Sequence, residues 1–245
     1  MLDTGVAYRN LTGGAGPAPE GPGQPWWGAR VSDREGLTVP PEMPERQGLY
    51  DPQFEHDSCG VGFVVDIRGR KSHQIVTQAL TVLKNLLHRG ACGCEVNTGD
   101  GAGILIQMPH AFLARECDRI GIALPASRWY GAGLVFLPTD PVQAARCQAI
   151  FEAIIREEGQ TLLGWRDVPT DDSPVGPSAT AVEPTFKQVF IGRNPAITDD
   201  QAFERRLYVI RKRAEHAVWG TDLPLRKRFY LPSLSSNTLI YKGML

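Results

Sequence analysis

Glu55-His56-Asp57-Ser58-Cys59-Gly60-Val61-Gly62-Phe63-Val64-Val65 decides how this chain is to be read. It sets one thiol, Cys59, between a leader of unusual composition and the first run of strand-forming residues. Upstream, residues 1–45 hold 8 Gly and 7 Pro, a third of the segment, above the ~25–30% at which aperiodic Pro and Gly content points to a stretch without a packed core. Downstream, Val61, Phe63, Val64, Val65 and Ile67 predict a buried strand over residues 60–67, closed by the turn-forming Arg68-Gly69-Arg70. A cysteine that opens a strand, with a glycine on either side of Val61, can be approached closely by substrate and by backbone. Two readings of Cys59 stand side by side. It is a small buried hydrophobe at a strand start, or, once residues 1–58 are removed, an N-terminal nucleophile whose own α-amine takes its proton.

Bulk properties narrow the classes. At 245 residues the chain suits one domain, or one and a part. Its 26 basic and 27 acidic residues nearly cancel, so no overall field recommends nucleic acid or an anionic membrane as partner. No apolar run approaches the ~18 residues of a membrane span, and the amino terminus lacks a basic region followed by an apolar one. Five cysteines, an odd number in a chain too long to need stapling, fit a reducing compartment and hence the cytoplasm.

After Ser72, a natural N-cap, Val76, Ala79, Leu80, Leu83, Leu86 and Leu87 share one apolar helical face, which should stop at His88-Arg89-Gly90. Ile104 to Met108 predicts a strand, and Pro109 opens a short helix through Cys117. Leu134 to Leu137 is a further strand. Asp140-Pro141-Val142-Gln143 has the form of an N-cap, an N1 proline and an N3 glutamine for a helix to about Glu158. Leu162 to Val168 and Phe186 to Ile191 predict strands on either side of a proline-bearing loop over residues 169–184. Thr198-Asp199-Asp200-Gln201 caps a helix whose core face is Phe203, Leu207, Ile210, Ala214 and Ala217, with Arg205, Arg206, Arg211 and Arg213 on a solvated face. Two short strands, residues 229–231 and 238–242, complete an α+β pattern without regular βαβ alternation.

Three clusters invite chemistry. Gly99, Gly101 and Gly103 fit neither a phosphate loop nor a dinucleotide fingerprint, because the spacing is wrong and a strand, not a helix, follows them. A backbone-lined substrate loop or a plain turn fits better. Cys92 and Cys94, near His88, lack the spacing and the second pair of a structural zinc site, so no metal is assigned. Arg89 is either a cation at the negative pole of a helix or a fork that pairs with a carboxylate.

Cys59-Gly60-Val61-Gly62-Phe63, His88-Arg89-Gly90-Ala91 and Thr98-Gly99-Asp100-Gly101-Ala102-Gly103 together resemble the amidotransferase domain that begins the glutamate synthase large chain. This is a class II, N-terminal-nucleophile glutaminase. The similarity continues through Gly164-Trp165-Arg166-Asp167-Val168-Pro169, residues 207–213, Ser233-Leu234-Ser235 and Ile240-Tyr241-Lys242-Gly243-Met244. It implies a four-layer αββα fold, incomplete at its C-terminal side, over residues 59–245, with residues 1–58 as a removable leader. It further implies Cys59 as nucleophile, and Arg89 and Gly90 beside it. Arg89, Thr98, Gly99 and Asp100 would bind glutamine. Ammonia would pass to 2-oxoglutarate in downstream synthase domains, with a small electron-donating subunit as a possible companion. Flavin mononucleotide and an iron–sulfur cluster belong to the full-length family enzyme, and no cofactor is expected in this segment. One departure stands out. The family uses an Asn-Gly pair for the oxyanion, and this sequence contains none. A catalytically inactive binding or regulatory module, or an N-terminal-cysteine acylase, are the competing readings.

Overall fold

The computed structural model describes residues 60–86 and 101–244, together with Gly48 and Thr98. Its larger sheet is three-stranded, in the order β2-β4-β3, from Tyr130–Leu137 (β2), Thr161–Asp167 (β3) and Thr185–Gly192 (β4). Both pairings are antiparallel, with a bulge in β3 between Leu162 and Gly164. Two helices, Pro141–Glu157 (α3) and Asp200–Trp219 (α5), pack on each other, and their apolar residues join one face of this sheet. Alternation along β4 sorts the faces. Val189 and Ile191 join the α3/α5 core, while Phe190 points to the other side.

Both helices start where side-chain chemistry dictates. Asp140 accepts from the Gln143 amide at 2.8 Å and Pro141 takes the first turn. The side chain of the N3 glutamine, Gln143, accepts from the Leu225 amide at 2.9 Å. Asp199 caps α5 through the Gln201 and Ala202 amides. The buried stripe of α5 runs Phe203, Leu207, Ile210, Ala214 and Val218. Ala217, expected in that stripe, is exposed, because a final step of four carries the apolar face to Val218. The arginines of α5 are not merely solvated: Arg206 and Arg213 grip Glu158 at the end of α3, and Arg213 also reaches Glu157.

The second sheet pairs Gly101–Gln107 (β1) with Thr238–Met244 (β5), antiparallel and in unbroken register from Gly101 opposite Met244 to Gln107 opposite Thr238. Leu239 is fully buried against Met108, Tyr130, Ala132 and Phe190, and so joins β5 to the larger sheet on the face away from α3 and α5. His110–Asp118 (α2) contributes Leu113 and Cys117 to the same cluster. The β2 edge is bridged at Ala132 to Ser235 and at Phe136 to Tyr230. Tyr230 is what the structure makes of the strand expected over residues 229–231. Within the loop of residues 169–184, Pro177–Thr180 (α4) forms a single short turn of helix.

His73–Asn85 (α1) begins at Ser72, whose hydroxyl accepts from the Ile75 amide at 3.3 Å, and it packs against β1. None of its residues is fully buried. The segment before it corrects the sequence expectation. Residues 60–67 form no ladder, and Val61, Phe63, Val65 and Ile67 are 93%, 84%, 63% and 100% exposed. Strand propensity is realised only where a neighbour accepts the backbone hydrogen bonds. Among the described residues β1 spends its pairing on β5. Asp66 also bends the chain, its carboxylate accepting from the Arg68 amide at 2.8 Å and from Arg70 Nη2 at 3.0 Å.

Candidate active site

Cys59, Arg89, Gly90, Gly99 and Asp100 lie outside the described residues, as do Cys92, Cys94 and His88 of the rejected metal reading. Thr98 is described and half-buried. What flanks these residues is well defined. Gly60, next to Cys59, runs over the end of α1, where an added Cβ would meet Leu86 Cδ2 at 2.8 Å. Gly62 sits in the same way against Val82, a stiff β-branched side chain that cannot swing aside. Gly62 therefore has to be glycine for this close approach, and Gly60 seats against the more adaptable Leu86, on the helix that leads into His88-Arg89-Gly90. The chain immediately after Cys59 and the chain just before Arg89 are brought together.

The third motif leads straight into β1. Gly101 and Gly103 belong to that strand and not to a turn, which corrects their reading as loop residues. Gly103 has a packing reason to be glycine: an added Cβ would lie 3.1 Å from the Tyr241 carbonyl oxygen and 3.2 Å from Lys242 Cγ.

Behind β5 lies a polar chain that the sequence reading did not assign. Gln188, in the middle strand β4 and without solvent exposure, donates from Nε2 to the Tyr241 hydroxyl at 3.1 Å. Its Oε1 accepts from Arg166 Nη1 of β3 at 3.4 Å. The guanidinium lies 5.8 Å from the centre of the Phe112 ring and 3.9 Å from Glu116 Oε2. Burial pushes the Tyr241 phenol up from its ordinary value, against smaller opposing effects of Gln188 and Arg166. Burial would raise the Glu116 carboxyl too, but Arg115, Arg119 and Arg166 outweigh it and hold the group below its usual value. A signal for this chain was present in the sequence: Gln188 interrupts an otherwise aromatic face between Phe186 and Phe190.

The described thiols are poor nucleophiles. Cys117 and Cys147 are fully buried, and burial pushes the Cys117 thiol up to about 11 and Cys147 in the same direction. Among the described residues no group of three or more His, Cys, Asp or Glu could hold a metal ion. No helix among them is long and apolar enough to cross a membrane.

Residues 59–245 match the family of class-II glutamine amidotransferases, and the chain belongs to that family. Its curated relatives narrow the setting. The chain is 45% identical over 204 residues to the glutamate synthase (NADPH) large chain of Bacillus subtilis, which covers 83% of this chain and 13% of that one. It is 41% identical over 208 residues to the glutamate synthase (NADH) of Schizosaccharomyces pombe, covering 83% and 10%. Against the chloroplastic ferredoxin-dependent glutamate synthase 2 of Arabidopsis thaliana it is 36% identical over 208 residues, covering 82% and 12%. The chain thus spans a small fraction of the length of these relatives.

Proposed function

We propose that this chain is the glutaminase part of a glutamate synthase, and that residues 1–58 are a leader removed before Cys59. The observation that carries the reading is the start of the family match, which falls on Cys59 itself. The seating of Gly60 on Leu86 supports it, because it brings the residue after Cys59 against the end of the helix that precedes His88-Arg89-Gly90 in the sequence. Cleavage before Cys59 turns a peptide nitrogen, which cannot take a proton, into an amine with a pKa of ~7.7–8.0 that can. The amine accepts the thiol proton, and the sulfur attacks the side-chain carboxamide carbon of glutamine. The protonated amine returns the proton to the departing ammonia, leaving a thioester. Water, activated by the same amine, then releases glutamate. Arg89 pairs with the substrate carboxylate, Gly90 allows close approach beside the nucleophile, and Thr98, Gly99 and Asp100 bind glutamine together with Arg89.

The architecture supports an αββα sandwich. In that arrangement α3 and α5 cover the larger sheet, β1 and β5 form the second sheet, and α1 lies on β1. Ammonia made here passes to 2-oxoglutarate in downstream synthase domains, in the cytoplasm. The electron donor differs among the relatives by their names, and a small donor subunit is part of the proposal only for the longer protein. An iron–sulfur cluster, which needs several cysteine thiolates together, does not fit the described residues, whose two cysteines are buried on separate helices. We assign both that cluster and flavin mononucleotide to the rest of a longer synthase, and no step above runs through them.

Ammonia release from glutamine tests the proposal. The protein that starts at Cys59 is expected to release it, Cys59→Ala to lose it, and an uncleaved chain to lack it. Full activity in the uncleaved chain overturns the mechanism. No release after cleavage favours the inactive binding module, and faster turnover of other acyl amides favours the acylase.

A further inference from the structure

The Arg166–Gln188–Tyr241 chain has a direction. A guanidinium can only donate, so the Gln188 oxygen must face Arg166 and its NH2 must face Tyr241. The amide of the fully buried Gln188 is thereby fixed, and among the described residues it is the side-chain hydrogen bond that ties β4 to β5. Tyr241 also lies within the unbroken ladder that pairs β5 with β1. It stands opposite Ile104 in the register, and its carbonyl oxygen lies 3.1 Å from where a Cβ at Gly103 would sit. The anchor that Gln188 gives the Tyr241 hydroxyl is thus linked to β1 through the β5 ladder. β1 is the continuation of Thr98-Gly99-Asp100.

We infer that Tyr241 is a positioning residue for glutamine recognition. Anchored to the larger sheet through Gln188 and Arg166, it sets the position of β1 and so of the substrate-binding residues that precede it. This deepens the proposed glutaminase reading and rests on it. Tyr241 touches no reacting atom, so its loss should weaken binding of the glutamine skeleton and leave the nucleophile intact.

The test uses the chain that begins at Cys59, with a diazoketone analogue of glutamine and with iodoacetamide as probes of the thiol. In Tyr241→Phe, which removes one oxygen, the half-saturating analogue concentration should rise about fivefold, the consequence of losing one buried hydrogen bond. The saturating labelling rate and the iodoacetamide rate should stay within about twofold, since the nucleophile is untouched. Arg166→Lys, which keeps the charge but not the fixed fork, should move the same quantity by about twofold to threefold. Amide exchange in β1 and β5 should quicken in both variants. Unchanged half-saturation in either variant, or a loss confined to the saturating rate, overturns the inference. An analogue that labels the unmutated protein no better than iodoacetamide instead refutes the glutaminase reading. The exchange of β1 and β5 amides in Tyr241→Phe then still decides whether Tyr241 positions that strand.

Discussion

The half of the molecule built on β2, β3 and β4 and the half built on residues 60–86 with β1 differ in what holds them. The first has α3 and α5 over one face, with Phe151, Phe203, Leu207, Ile210 and Phe229 wholly removed from water. Phe151 alone meets the rings of Trp165 and Phe229 edge-on, with centroids 5.8 Å and 6.0 Å away. The second half contains a helix without a fully buried residue and a segment whose apolar side chains face solvent. The stability of the described fold therefore resides in the first half. The described segments next to the motifs assigned to chemistry belong to the second. There Gly60 and Gly62 approach α1 closely and Gly103 approaches β5, and they contribute little to burial.

That contrast can be broken by substitution. The largest effect is expected from Phe151→Ala, which empties a site packed on two aromatic rings and should cost about 3–5 kcal/mol in denaturant unfolding. A loss below about 1 kcal/mol would mean that the α3/α5 side is not where stability is concentrated.

Next in size is the ion-pair cluster between α3 and α5. Arg206 first, and then Arg213, hold the Glu158 carboxyl below its ordinary value of 4.5. A depressed carboxyl contributes stability that is fully present above the ordinary value and is lost as pH falls through the lower folded value. Glu158→Gln should therefore cost about 1 kcal/mol at neutral pH. The gap from the unmutated protein should close as pH falls below 4.5. A gap that persists at low pH would assign the effect to packing and not to charge.

The smallest effect should come from Phe63→Ser in the exposed segment, within about 0.5 kcal/mol of no change. A cost of about 2 kcal/mol or more would show residues 60–67 packed in solution, and the contrast between the halves would fall.

Local chemistry made the helical half legible in the sequence. Asp140-Pro141 and Asp199 mark helix starts that depend on neighbours one to three residues away, and both helices begin there. The strands β2, β3 and β4 were visible as apolar runs: those for β2 and β4 fall short of the strands by four and two residues, and that for β3 is displaced by one. Residues 60–67 misled, because a strand is a relation between two segments and composition specifies only one of them. The glycines at positions 101 and 103 mislead in the opposite sense: they suggest a substrate loop or a turn, whereas both lie in a strand paired with β5, which approaches Gly103 closely. Of the site, the motifs were readable and their support was not. Arg166 and Gln188 are 22 residues apart and Tyr241 is 53 beyond Gln188, so only the packing of two sheets brings them into one chain.

The measurement that bears most directly on the account is the mass of the purified protein before and after treatment with the diazoketone glutamine analogue. The account predicts an N-terminus at Cys59 and one adduct per chain on that residue, prevented by glutamine and absent in Cys59→Ala. A chain that reacts equally well with residues 1–58 still attached, or that carries the adduct on another residue, would contradict it.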